Sequence, residues 1–126
     1  MSASEEARRH LAKAREFLDA AETSHDLGLE NAASSDAVIS AINSKDAICL
    51  TLTGGTSKSD NHGQAVDELR RSGPTGAKLA STLSRLLNLK TRAQYASRSV
   101  SSADAGKALE WATRMHDGAE SVMRDR

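Results

Sequence analysis

The chain is poor in everything that cross-links or stacks: its 126 residues include one Cys, one Pro, one Phe, one Tyr and one Trp. A lone cysteine, Cys49, excludes an internal disulfide, and its place in an apolar helical stretch makes it a small packing hydrophobe. With Phe17, Tyr95 and Trp111 as the only rings, the core must come from Ala, Leu, Ile and Val, whose small faces let helices approach closely. There is also no long hydrophobic run. The most apolar window is broken by Asn43, Lys45 and Asp46, and the opening Met-Ser-Ala-Ser-Glu-Glu lacks the basic and apolar regions of a secretory leader. No membrane association is expected, and the cytoplasm is the expected compartment. Formal charge is zero, so no global field draws the molecule to nucleic acid.

The charge is nevertheless unevenly spread. Residues 1–69 carry six Lys or Arg against twelve Asp or Glu, whereas residues 70–103 carry seven basic residues, Arg70, Arg71, Lys78, Arg85, Lys90, Arg92 and Arg98, and no acid. Such a pattern either holds neighbouring helices together or meets an anionic partner. Arg85 and Arg92, with Lys78, recur every seven residues and fall near one helix face, where they could contact phosphates. Tyr95 is the one ring nearby, so the stacking platform of single-strand binders is missing.

What the sequence has in abundance is helical periodicity. Ser4 can cap a first helix with Glu5 and Glu6 in its first turn, and Ala7, Leu11, Ala14, Leu18 and Ala21 then form one stripe ending near Thr23. A second helix is expected from about Leu29 to Thr53, closed by Gly54-Gly55, and a polar loop follows from Thr56 to Asp60. Ser59 or Asp60 can cap a short helix over 61–71 that buries Ala65, Val66 and Leu69 and stops at Gly73-Pro74. A fourth helix starts near Thr75 and carries Leu79, Leu83, Leu86, Leu87 and Ala93 to at least Tyr95. Ser97 to Ser102 reads as a turn, with Ser102 capping a fifth helix striped by Ala105, Ala108, Ala112, Met115, Ala119 and Val122. The expected fold is therefore all-α: one domain over 1–126, an antiparallel up-and-down bundle of four long helices plus one short one.

Asp46 is the anomaly in this pattern. It lies on the stripe of Ile39, Ile42, Cys49, Leu50 and Thr53, where an unpaired carboxylate would be costly, so it is expected to be buried and paired. Lys90, on the leucine stripe of helix four, and His62, at the start of the short helix, are the proposed partners. Metal binding is not expected, since His10, His25, His62 and His116 are scattered through four segments and no His-x-x-x-His or cysteine pair supplies ligands on one face. Thr53 to Lys58 follows a helix and lacks the phosphate-loop spacing, and neither a GxSxG elbow nor a cysteine at a helix start is present. No cofactor is expected.

In this order the segments resemble the HEPN family, especially its stand-alone actinobacterial members. The likeness runs through Leu11-Ala12-Lys13-Ala14-Arg15-Glu16-Phe17-Leu18, Asp46-Ala47-Ile48-Cys49, Asp60-Asn61-His62-Gly63-Gln64-Ala65-Val66, and Leu86-Leu87-Asn88-Leu89-Lys90-Thr91-Arg92-Ala93-Gln94-Tyr95. It implies a four-helix bundle, usually dimeric, tied to nucleotide or RNA biology and to toxin-antitoxin or defence systems. Through these motifs it also implies a polar pocket of Asp46, His62, Lys90 and Tyr95. Catalytic members resemble one another in an Arg followed four to six residues later by His, used in metal-independent RNA cleavage. Here no arginine stands four to seven positions before any histidine, and Arg114 with His116 has the wrong spacing. The leading expectation is thus a non-catalytic binding or interaction module, a homodimer with a nucleotide, RNA or partner protein as ligand. One alternative is a noncanonical ribonuclease or nucleotide-processing enzyme with Asp46 and His62 as acid and base and Lys90 stabilising charge. Another is an antitoxin or immunity-type protein that works through one exposed face.

Overall fold

The computed structural model describes residues 1–58, 61–95 and 99–125, the side chains of 93–95 excepted. Five helices make up the fold: α1 (Ala3–Asp26), α2 (Glu30–Thr53), α3 (His62–Arg71), α4 (Pro74–Tyr95) and α5 (Ser102–Arg124). No strand occurs among the described residues, and the all-α bundle read from the periodicity is the fold. None of these helices is long and apolar enough to cross a membrane.

Each boundary has a local cause. Ser2 caps α1 by accepting from the Glu5 N–H at 3.1 Å, two residues before the expected Ser4, whose hydroxyl instead takes a hydrogen bond from Arg8 at 2.9 Å. Asn61 caps α3 through the Gln64 N–H at 3.0 Å, while the alternative caps Ser59 and Asp60 lie outside the described residues. Ser101, not Ser102, caps α5 by accepting from the Asp104 N–H at 3.1 Å. Gly54 closes α2 in the left-handed conformation at φ 81°, which only glycine enters at little cost. Pro74 opens α4, where its missing N–H is not needed.

Packing gives α2 the central place. It lies against α1 and α5 most extensively and also touches α3 and α4, while α3 and α4 pair with each other and α4 with α5. The shared core runs through Leu18, Ala41, Ile48, Leu69, Leu83, Leu86, Ala112 and Met115. Alanine dominates the α1, α2 and α5 contacts, with Ala7, Ala14, Ala21, Ala33, Ala37, Ala41, Ala105, Ala108, Ala112 and Ala119 all buried, so the helix axes can lie close together.

One expectation about α2 needs correction. The stripe through Ile39, Ile42 and Thr53 is not its buried side: Ile39 and Thr53 are exposed and Ile42 half-buried. From Asn43 to Leu50 every residue is buried, including Asn43, Ser44, Lys45 and Asp46. A helix covered on all sides has no polar face, and so it carries no single stripe to read.

Candidate functional site

Asp46 is buried, 6 % exposed, and paired, but neither with Lys90 nor with His62. Its Oδ1 accepts from the Lys45 ammonium at 3.2 Å and from the Thr56 hydroxyl at 2.6 Å. Lys45, 1 % exposed, is the hub of the cluster: its Nζ also donates to Glu68 Oε1 at 2.5 Å, to Thr56 Oγ1 at 2.9 Å and to the Ser57 carbonyl at 3.2 Å. Glu68 in turn accepts the Ser57 N–H with both oxygens, at 2.9 and 3.0 Å. One lysine thus ties α2, the loop after it and α3 together. His10 extends the group toward α1: its Nδ1 lies 2.8 Å from Asn43 Oδ1 and 3.9 Å from Asp46 Oδ2.

The electrostatics favour the charged pair. Burial acts to lower the Lys45 pKa, but the bond to Glu68 and the charge of Asp46 outweigh it and hold the ammonium above its ordinary 10.5. For Glu68 burial acts upward, and the bonds from Lys45 and the Ser57 N–H prevail, keeping its carboxyl below the usual 4.5. A depressed carboxylate contributes stability above its unfolded pKa and loses it as pH falls through the folded value; a raised lysine contributes stability below its unfolded pKa and loses it as pH rises through the folded value. Unfolding free energy is therefore expected to fall as pH drops below about 4.5, and Glu68→Gln is expected to flatten that acid limb. Urea midpoints measured from pH 7 to pH 3 check this; an acid limb unchanged in Glu68→Gln would refute it. Burial pushes the Cys49 thiol up to about 11, which leaves it inert as a nucleophile at neutral pH.

Lys90 stands elsewhere. It lines a cavity of about 310 Å³ whose walls include Val38, Leu86, Leu89 and Val100, with Asn31, Ser34 and Ser35 as polar members. Asn31 fixes one wall, accepting the Val100 N–H at 2.9 Å and donating to Ser99 Oγ at 3.4 Å. The hydroxyl of Ser34, a residue 7 % exposed, is buried without a hydrogen-bond partner among the described residues. From Val38 on this cavity to Asp46 is eight residues along α2, about 12 Å at helical rise. His62 is half-buried at the start of α3 and makes no hydrogen bond or ion pair among the described residues. Among the described residues Asp46 thus hydrogen-bonds neither His62 nor Lys90, and the direct contact that proton transfer between them would need is not made. Tyr95 closes α4, and its side chain lies outside the described residues, as do Arg98, the Ala93 side chain and the start of the expected 97–102 turn.

Arg85 and Arg92 are exposed on α4, as is Lys78. At about 100° per residue Lys90 projects roughly 140° away from Arg85, so the basic row and the cavity face different ways. For a metal, one group among the described residues brings ligand atoms within 4.8 Å of one another: His116, Asp117 and Glu120 of α5. His116 is buried with its Nδ1 3.4 Å from Glu120, so the two already face each other along one helical turn.

Lys45, Thr56, Glu68, His10 and Asn43 were missed in the sequence as partners of Asp46. Lys45 offered a signal, being a second charge beside Asp46 in the most apolar helix, but helical spacing places consecutive residues on different faces and so argued against pairing them. Glu68 comes from another helix, and no spacing rule reaches it.

A search of curated proteins finds no match to the chain. The family model of the HEPN domain matches residues 7–122, from the first buried alanine of α1 to the last buried residue of α5. That span takes in all five helices and both polar sites, and the chain belongs to the HEPN family.

Proposed function

We propose that this HEPN protein is a non-catalytic nucleotide-binding module, cytoplasmic and homodimeric, whose ligand enters the cavity between α2, α4 and α5. The observation that carries this is that one cavity is lined both by Lys90 and by Ser34, whose buried hydroxyl has no hydrogen-bond partner among the described residues. A polar group left unpaired in a folded core costs about 1–3 kcal/mol, a penalty that a ligand atom can relieve. Leu86, Leu89 and Val38 supply apolar walls for the face of a base, and Lys90 supplies the charge for a phosphate. A cavity of about 310 Å³ is at the lower end of ligand sites and suits a mononucleotide better than a larger cofactor. A longer RNA would have to use the Lys78, Arg85 and Arg92 row, which turns away from this cavity. Membership of a family linked to nucleotide and RNA biology supports the same class of ligand.

Calorimetric titration with AMP, ADP and ATP tests this reading. Lys90→Ala is expected to weaken binding about 10- to 100-fold, the worth of a charge-assisted hydrogen bond, and Ser34→Ala several-fold. Wild-type affinity in Lys90→Ala would remove the cavity from consideration. Cleavage of RNA by the purified protein, lost in His62→Ala without unfolding, would overturn the non-catalytic reading.

A further inference from the structure

The geometry points to a second site: we propose that the surface pocket floored by His10 binds a phosphate monoester. This goes beyond the nucleotide cavity and uses none of its residues. The pocket, about 410 Å³, is lined by Arg9, His10 and Lys13 of α1, by Lys58 from the loop after α2, and by Glu6 and Met1. Four of these six residues can carry positive charge, in a half of the chain where acids outnumber bases two to one.

His10 gives the pocket a fixed polar floor. Asn43 donates its amide to the Ile39 carbonyl at 2.9 Å, which settles its orientation and leaves Oδ1 toward His10. An Asn oxygen only accepts, so His10 Nδ1 carries a proton and donates, and Nε2 is left for the pocket, where the imidazolium form of the ring donates to an anion. The carboxylate of Asp46 stands behind, 3.9 Å from Nδ1. Buried residues of α2 thus hold the ring in one orientation with its Nδ1 proton turned inward, an arrangement an ordinary surface histidine lacks.

The cations around it are only partly neutralised. Lys58 pairs with Glu6 at 3.2 Å, but Arg9 and Lys13 have no ion-pair partner among the described residues. They lie four apart on α1, where like charges repel each other by a few tenths of a kcal/mol. A dianion with three terminal oxygens can meet the His10 imidazolium, Arg9 and Lys13 at once; a carboxylate has two oxygens and a phosphodiester one negative charge. The ester group can belong to a free nucleotide or to an RNA end, and the pocket chemistry is shared.

The test is an NMR titration reading the His10 ring nitrogens in the full-length protein with inorganic phosphate, methyl phosphate and dimethyl phosphate. A saturable His10 response to the first two and not to the diester is expected, with affinity reduced about tenfold in Lys13→Ala, an exposed position whose loss leaves the fold intact. The response should persist in Lys90→Ala, so that this site and the nucleotide cavity stand or fall separately. No saturable response, the same response to sodium chloride, or wild-type affinity in Lys13→Ala would each overturn the proposal. Tighter binding of a 5′-phosphorylated oligoribonucleotide than of AMP would support the site with an RNA end as source, and the reverse would support it with a free nucleotide.

Discussion

Lys45→Ala is expected to destabilise the protein by about 3–5 kcal/mol, a large part of the stability of a domain this size. The ammonium bonds both the Asp46 and the Glu68 carboxylates, and it also holds the Thr56 hydroxyl and the Ser57 carbonyl. Removing it leaves the buried Asp46 carboxylate without its ammonium and close to a second, only part-buried acid, Glu68. Breaking a buried pair from one side is worse than never having made it, because the remaining charge keeps its desolvation penalty. Lys45→Met with Asp46→Asn and Glu68→Gln should accordingly recover a large share of the loss, since no uncompensated charge remains. Urea unfolding followed by circular dichroism measures both. A loss under about 1 kcal/mol in Lys45→Ala would show that the cluster is far wetter than its burial indicates.

Gly76→Ala is expected to cost about 1–3 kcal/mol, opposite in sign to the usual effect of replacing a helical glycine by alanine. Gly76 is buried in the first turn of α4, and a Cβ there would overlap the Leu69 carbonyl oxygen and the Ser72 hydroxyl. Neither can retreat freely: the Leu69 oxygen belongs to the backbone of α3 and accepts from the Ser72 hydroxyl at 2.7 Å and the Ser72 N–H at 3.1 Å. The α3–α4 junction would have to open. Gly106→Ala is the matched control, because its Cβ would meet only His25 Nε2 at 3.9 Å, and there the intrinsic helix preference should add up to about 1 kcal/mol. Thermal melts of the two variants side by side should move in opposite directions. A stabilised Gly76→Ala would mean that the junction yields more easily than its hydrogen bonds suggest.

The helices were legible because their causes are local. Periodicity placed all five, and the errors at their starts, Ser4 for Ser2 and Ser102 for Ser101, arise where neighbouring serines are equally able to cap and only the backbone geometry chooses between them. The burial of Asp46 was also legible, since it follows from the apolar residues on either side. Its partners were not. Long-range pairing depends on how helices dock, and Glu68 reaches Lys45 only because α3 folds back onto the end of α2. Lys90 was singled out for falling on a leucine stripe, and it does face a cavity, but one at the far end of α2 from Asp46. His10 was set aside in the sequence because only metal spacing and the arginine-to-histidine spacing were applied to it, whereas what distinguishes it is the buried Asn43 behind the ring.

The enclosure of α2 between Asn43 and Leu50 also bears on how this sequence can drift. Most helices have a solvent face on which substitutions accumulate with little effect, and polar residues mark that face. In α2 the polar residues are the least replaceable, because Lys45 and Asp46 have their partners in other segments and neither can change without Thr56 and Glu68 changing too. Variation in this stretch must therefore be concerted, and an aligned relative that lacks Lys45 should also lack an acid at the position of Glu68.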